Sequence, residues 1–179
     1  MNFKVLKSER VYQAYKFDVR QDLIELPNGK TGLYDIVVHS GAVAMLPLDA
    51  EGKIHFVRQF RPSTGKPILE IPAGTLEPGE QPEACAQREL REEIGMAPGR
   101  LTPLSDFYLA PGYSTERMYL FLAEDLRPET LPADDDEFLK VEKLSMHEAF
   151  EAMHSGAIEE AKTMLALFLA RQLLQKRAG

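Results

Sequence analysis

The sequence predicts an α+β fold in which a small antiparallel sheet precedes a larger mixed domain. Three observations point to it. β-Forming runs separated by turn residues fill most of the first sixty positions. A single helix-period segment, opened by Pro82 and closed by Gly95, follows in the middle of the chain. Two further helical segments end it.

Residues 11–19 and 23–26 carry β-formers, and Pro27-Asn28-Gly29-Lys30 reads as a hairpin turn, because Asn-Gly accepts the positive φ angles of a tight primed turn. Residues 31–39 return as a strand. The boundary expected from this pattern puts an N-terminal antiparallel sheet at 1–39 and the main domain at 40–179. Residues 42–48 are apolar and suit a buried strand, and residues 54–60 form the next one after the turn Asp49-Ala50-Glu51-Gly52-Lys53. Leu69-Glu70-Ile71 is a short extended piece stopped by Pro72. Pro82 fits the first turn of a helix running to about Ile94, with Gly95 as its stop. Strands are expected at 104–108 and 118–122 and, beyond an acidic stretch at 134–137, at 138–144. Helices are expected at 147–154 and 158–176, the second with Met164, Leu165, Phe168, Leu169 and Leu173 as its packing stripe.

Composition narrows the partners. A chain of 179 residues, 44% of them hydrophobic, is long enough to build one core. With a net charge of -7 and no basic run, it lacks the Lys/Arg patch that a nucleic-acid duplex requires. A small phosphorylated ligand is compatible with this acidity if metal ions supply positive charge. The single cysteine, Cys85, excludes an internal disulfide and a Cys-rich zinc site, and fits a reducing, cytoplasmic setting. Met1-Asn2-Phe3-Lys4 opens no apolar signal core, and no apolar run is long enough to span a bilayer, so no membrane partner is expected.

The chemistry is concentrated between Gly74 and Met96. Glu80 follows Gly74 after five residues, and Arg88-Glu89-Leu90-Arg91-Glu92-Glu93-Ile94-Gly95-Met96 follows later. On a helix turning about 100° per residue, Glu89, Glu92 and Glu93 cluster on one side while Ala86, Leu90 and Ile94 form the buried stripe. Carboxylates this close raise one another's pKa, and a hard divalent cation removes the penalty. Mg²⁺ is the expected cofactor, with Mn²⁺ an acceptable substitute. Gly74 and Gly79, in the loop before the helix, let backbone groups approach a metal or phosphate. A solvated acidic helix face with ion pairs such as Arg88 with Glu92 explains the glutamates alone, but not the full spacing.

That spacing resembles the Nudix box: glycine, five residues, Glu, seven residues, then Arg-Glu-apolar-any-Glu-Glu-any-Gly-apolar, with every specified position present between Gly74 and Met96. The resemblance implies an αβα sandwich on a mixed sheet and hydrolysis of a nucleoside diphosphate linked to another group. It implies that Glu89, Glu92 and Glu93 hold the metal with help from the Ala73 carbonyl, that Arg88 orients the glutamates, and that Glu80 supports the loop or the metal shell.

Further features resemble the ADP-ribose pyrophosphatase branch of that family. Pro111 lies 15 residues beyond Met96, within Ala110-Pro111-Gly112-Tyr113-Ser114-Thr115-Glu116. Val57-Arg58-Gln59-Phe60-Arg61 and Leu69-Glu70-Ile71-Pro72-Ala73-Gly74 resemble the strand pair that leads into the branch's box. The implied substrate contacts are Arg61, Glu70, Gly74, Pro111, Gly112 and Glu116, and the implied assembly is a homodimer joined through the N-terminal sheet. Tyr12, Tyr15 and Phe17 are candidates to stack on the base. Among Asp134-Asp135-Asp136-Glu137, Glu137 is the candidate general base and Asp135 its rival, because the family's Glu-x-Glu is replaced here by Asp135-Asp136-Glu137. The expected reaction is Mg²⁺-dependent hydrolysis of ADP-ribose to AMP and ribose 5-phosphate. The alternatives are another nucleoside diphosphate sugar, such as GDP-mannose, and a non-catalytic module that only binds ADP-ribose.

Overall fold

The structure, a computed structural model, describes residues 2–132 and 138–179. The chain forms two compact units, Met1–Ala42 with Asp106–Met118 and Val43–Ser105 with Tyr119–Gly179.

The first unit contains a three-stranded antiparallel sheet of β1 (Lys4–Gln13), β2 (Asp18–Glu25) and β3 (Thr31–Val38), in that order. The run of β-formers at 11–19 is interrupted by a turn. The Ala14 amide donates to the Phe17 carbonyl at 3.0 Å, and β1 returns as β2 with Gln13 opposite Asp18. No Gly, Pro or Asn marks this turn, so the β-formers on either side conceal it. The expected turn at 27–30 is present in a different geometry. The Leu26 amide bonds the Lys30 carbonyl at 2.8 Å, and Gly29 takes φ 79° while Asn28 does not enter the positive-φ region. One left-handed glycine closing a three-residue loop replaces the primed two-residue turn.

The second unit is built on β4 (Ala42–Pro47), β5 (Lys53–Arg61), β6 (Lys66–Glu70), β7 (Ala73–Thr75), β8 (Met96–Ala97), β9 (Arg100–Tyr108), β10 (Arg117–Glu124), β11 (Arg127–Pro128) and β12 (Lys140–Ser145). The strand orders are β7-β4-β10-β9, β12-β5-β6 and β11-β8. Its helices are α1 (Pro82–Glu93), α2 (Met146–His154) and α3 (Ala161–Ala178).

Strand alternation assigns the two faces of the central sheet. Val43 and Met45 of β4 and Phe121 and Ala123 of β10 form one cluster with Cys85, Ala86 and Leu90, which puts α1 on that face. Ala44, Leu46, Leu120 and Leu122 are equally buried and point the other way. So does Glu124, whose carboxylate takes Arg177 of α3 at 2.8 Å. At the opposite end of α3, Thr163 Oγ1 accepts the Ile71 amide at 3.0 Å. Helices therefore cover both faces, giving the αβα sandwich and mixed α+β class expected from the sequence.

The face that α3 buries differs from the expected stripe. Thr163, Ala166, Leu167 and Ala170 are buried, whereas Phe168 is half-exposed and meets Phe150 of α2 edge-on at 5.3 Å between ring centroids. Ala166 and Ala170 allow close approach of the helix around the buried Leu167, and Met164, Leu165, Phe168, Leu169 and Leu173 lie at its flanks. Helix α2 begins with a capping box, in which Ser145 Oγ accepts the Glu148 amide and the Glu148 carboxylate accepts the Ser145 amide. Among the described residues, no helix is long and apolar enough to cross a membrane.

Candidate active site

The carboxylates of α1 are gathered by Arg88. Its Nε and Nη2 donate to the two oxygens of Glu80, each at 3.0 Å, while Nη1 donates to Glu89 at 2.7 Å and to Glu92 at 2.9 Å. Glu92 is one turn along the helix, and Glu80 is reached because Pro82 starts α1 directly after the loop that carries it. The Glu80 carboxylate also accepts the Glu77 amide at 3.0 Å, so the loop is tied to the helix through one side chain. The paired guanidinium holds the Glu80 carboxyl down at about 2, and Glu80 in turn pushes the Arg88 guanidinium above its usual range.

Glu89 and Glu93 are 7% and 6% exposed, unusually buried for glutamates. Glu93 accepts the Ala73 amide at 3.2 Å, which joins the last turn of α1 to β7. Glu89 lies against Gly74 so tightly that a Cβ there would stand 1.8 Å from its Oε1 and 1.9 Å from its Cδ. Cys85 is also buried beneath this network, 3.3 Å from Arg88 Nη2, and burial together with the neighbouring Glu89 pushes its thiol far up.

Arg61 and Glu70 pair across the β5–β6 hairpin. Arg61 Nε and Nη2 donate to the two Glu70 oxygens at 2.7 and 3.0 Å. Glu70 is 1% exposed and takes a second cation, Lys162 of α3, at 2.5 Å. Burial pushes the Glu70 carboxyl up, but the Arg61 and Lys162 partners outweigh it and hold it below its ordinary value. Arg61 also feels the charge of Glu93, so this cluster adjoins the α1 carboxylates. Lys162 is not among the residues expected from the sequence. Its signal is a lysine beside an apolar stripe with no acidic residue at i±4.

Ala73, Gly74, Glu80, Arg88, Glu89, Glu92, Glu93, Arg61 and Glu70 all belong to the second unit. Pro111, Gly112 and Glu116 belong to the first. Their loop turns through the Tyr113 and Ser114 amides, which donate to the Ala110 carbonyl at 3.1 and 2.9 Å, and the Glu116 amide bonds Ser114 Oγ at 3.1 Å. Two further backbone bonds, Val37 amide to Tyr113 carbonyl at 2.8 Å and Thr115 amide to Val37 carbonyl at 2.9 Å, fasten it to β3. Glu137 and Asp135 lie outside the described residues.

The model of the NUDIX domain family matches residues 38–168. The chain belongs to the Nudix hydrolase family. This Nudix chain is 41% identical over 166 residues to the ADP-ribose pyrophosphatase of Bacillus subtilis (strain 168), covering 92% of this chain and 90% of that protein. It is 37% identical, with the same coverage, to the methanol dehydrogenase activator of Bacillus methanolicus. A crystal structure of an ADP compounds hydrolase shares its fold at a TM-score of 0.88 and 27% identity, over 99% of this chain and 96% of that one.

Nudix hydrolases generally depend on a divalent metal, and the donor chemistry here fits one. The α1 face presents only hard carboxylate oxygens, the one neighbouring thiol is held protonated, and Gly74 leaves the space into which Glu89 reaches. Among the described residues, no three His, Cys, Asp or Glu side chains converge on a single point, and Arg88 takes the place between Glu80, Glu89 and Glu92.

Proposed function

We propose that this protein hydrolyses the pyrophosphate bond of ADP-ribose in a Mg²⁺-dependent reaction. Water attacks one phosphorus, the bridging P–O bond breaks, and AMP and ribose 5-phosphate leave. The observation that carries this reading is the carboxylate set of α1, in which Arg88 holds Glu89 and Glu92, Glu89 is pressed against Gly74, and Glu93 accepts the Ala73 amide. A module that only bound its ligand would not need all of these carboxylates on one helix. The names of the relatives, an ADP-ribose pyrophosphatase and an ADP compounds hydrolase, support an ADP-linked substrate.

Glu89, Glu92 and Glu93 would hold the metal. When bound, it neutralises phosphate charge and makes water acidic enough to attack near neutral pH. The chain's own residues do the rest. Arg88 and Glu80 fix the loop and the helix relative to each other, so the carboxylates are oriented before substrate arrives. Glu93, bonded to the Ala73 amide, sets the distance between β7 and the helix. Arg61, held through Nε and Nη2 by Glu70, would offer the rest of its guanidinium to an anionic group of the substrate. Glu137 is the proposed base. We further propose a homodimer joined through the N-terminal sheet.

The test is phosphate-ester release from ADP-ribose, with GDP-mannose as the comparison substrate. EDTA should abolish turnover, and Mg²⁺ or Mn²⁺ should restore it. Glu93→Gln should lower kcat by roughly 10²-fold or more, since several kcal/mol of charge stabilisation is lost. Full activity in excess chelator, or tight binding of ADP-ribose without turnover, rules this function out.

A further inference from the structure

Lys162 is expensive where it stands. It is 6% exposed, and it occupies the second position of α3, where the helix end is already positive. Its ammonium lies 2.5 Å from Glu70 Oε2 and 3.1 Å from Glu160 Oε2. Glu160 is largely committed to the helix end, accepting the Lys162 and Thr163 amides at 2.9 and 3.0 Å and the Thr163 hydroxyl at 2.8 Å. Glu70 is therefore the principal counter-charge of Lys162, and Arg61 shares it.

A helix can be fastened to a strand more cheaply by apolar contact than by a buried ion pair, and Thr163 already bonds the Ile71 amide here. The pair needs a different explanation, which Arg61 supplies. With Nε and Nη2 taken by Glu70, its Nη1 has no hydrogen-bond partner among the described residues, and its side chain is partly exposed. Lys162 and Arg61 Nη2 share one oxygen of Glu70, so Lys162 fixes the carboxylate that orients Arg61 and leaves the Nη1 edge of the guanidinium available to an anion.

We propose that Lys162 is a positioning residue that acts through Glu70 to keep Arg61 aimed towards the diphosphate of the substrate. This rests on the pyrophosphatase reading above. Its signature is a split between KM and kcat, because the effect is on anion capture and the α1 carboxylates are left intact.

The experiment is steady-state kinetics with ADP-ribose and Mg²⁺ on the full chain, with thermal unfolding recorded for each variant. Lys162→Met should raise KM about 10-fold with kcat within about 3-fold of wild type, the pattern of lost uniform binding. Lys162→Gln, which keeps a donor for Glu70 but not the charge, should show the same split and serves if the Met variant does not fold. In an Arg61→Met background, Lys162→Gln should change KM no further, because Lys162 acts through Arg61. Unchanged KM in the folded single variants, equal loss of kcat and KM, or additive effects with Arg61→Met each overturn the role of Lys162 alone. Wild-type protein that does not turn over ADP-ribose overturns the pyrophosphatase reading, and this inference with it.

Discussion

Glycine at position 74 is required by a neighbouring side chain. The sequence reading gave it the task of letting backbone approach a metal or phosphate. In the structure, the space a Cβ would fill is taken by Glu89. Gly74→Ala forces that carboxylate to move, and Glu89 is buried and bonded to Arg88, so the displacement reaches the whole charge network. The chain should still fold, because the clash is with the end of a side chain. Its kcat/KM for ADP-ribose should fall by roughly 10²-fold, the cost of an ångström-scale misplacement in a preorganised site. Activity near wild type would show that Glu89 does not need its observed position. Arg88 illustrates the same limit of legibility. Its i+4 partner Glu92 follows from helix period, but its two bonds to Glu80 depend on the loop folding back, which periodicity does not encode.

At the scale of elements, α1 was legible from Pro82 to its glycine stop because apolar period, start signal and stop signal agree there. Helix α3 was legible as a helix but not in its orientation, because Ala166 and Ala170 pack more closely than the larger residues beside them. The turn after β1 was hidden for want of a turn residue. The β5–β12 pair carries a prediction of its own. Glu142 accepts Arg58 Nε and Nη2 at 2.9 and 3.2 Å across the ladder, and this partner holds its carboxyl at about 2, below an ordinary value of 4.5. A carboxyl depressed on folding contributes stability above its unfolded pKa and loses it as pH falls through the folded one. Tm should therefore carry a component that fades between about pH 4.5 and 2, and Glu142→Gln should remove it. The pair is partly exposed, so the difference at pH 6 should be about 0.5–1 kcal/mol, or roughly 1–3 °C. Parallel melting curves for the two proteins across that pH range would contradict the assignment.

At the scale of the whole molecule, the N-terminal sheet raises the question of assembly. Strand β1 is an edge strand, exposed along its length, with Val5, Leu6, Val11 and Tyr12 open to solvent. An apolar edge of this kind is a liability unless another chain covers it, and a second copy is the proposed cover. Sedimentation should give a dimer at micromolar concentration, and Val5→Lys with Val11→Lys should shift it to monomer with the far-UV spectrum kept. A wild-type monomer that is fully active would remove the dimer from the proposal. Nothing in the residue pattern hints that residues 106–118 group with the first unit. Their two bonds to Val37 of β3 are backbone bonds between residues more than seventy positions apart, and backbone carries no sequence signature.

The solitary thiol has a practical consequence. Cys85 is the chain's only cysteine, sits on α1 beneath the guanidinium of Arg88, and is kept in the unreactive protonated form. A thiol reagent therefore has one target, and reaches it only when the helix lifts from the sheet. The labelling rate is a clock for that opening, readable on unmodified protein and without substrate. It separates substitutions that loosen the helix from those that leave it seated but disarmed.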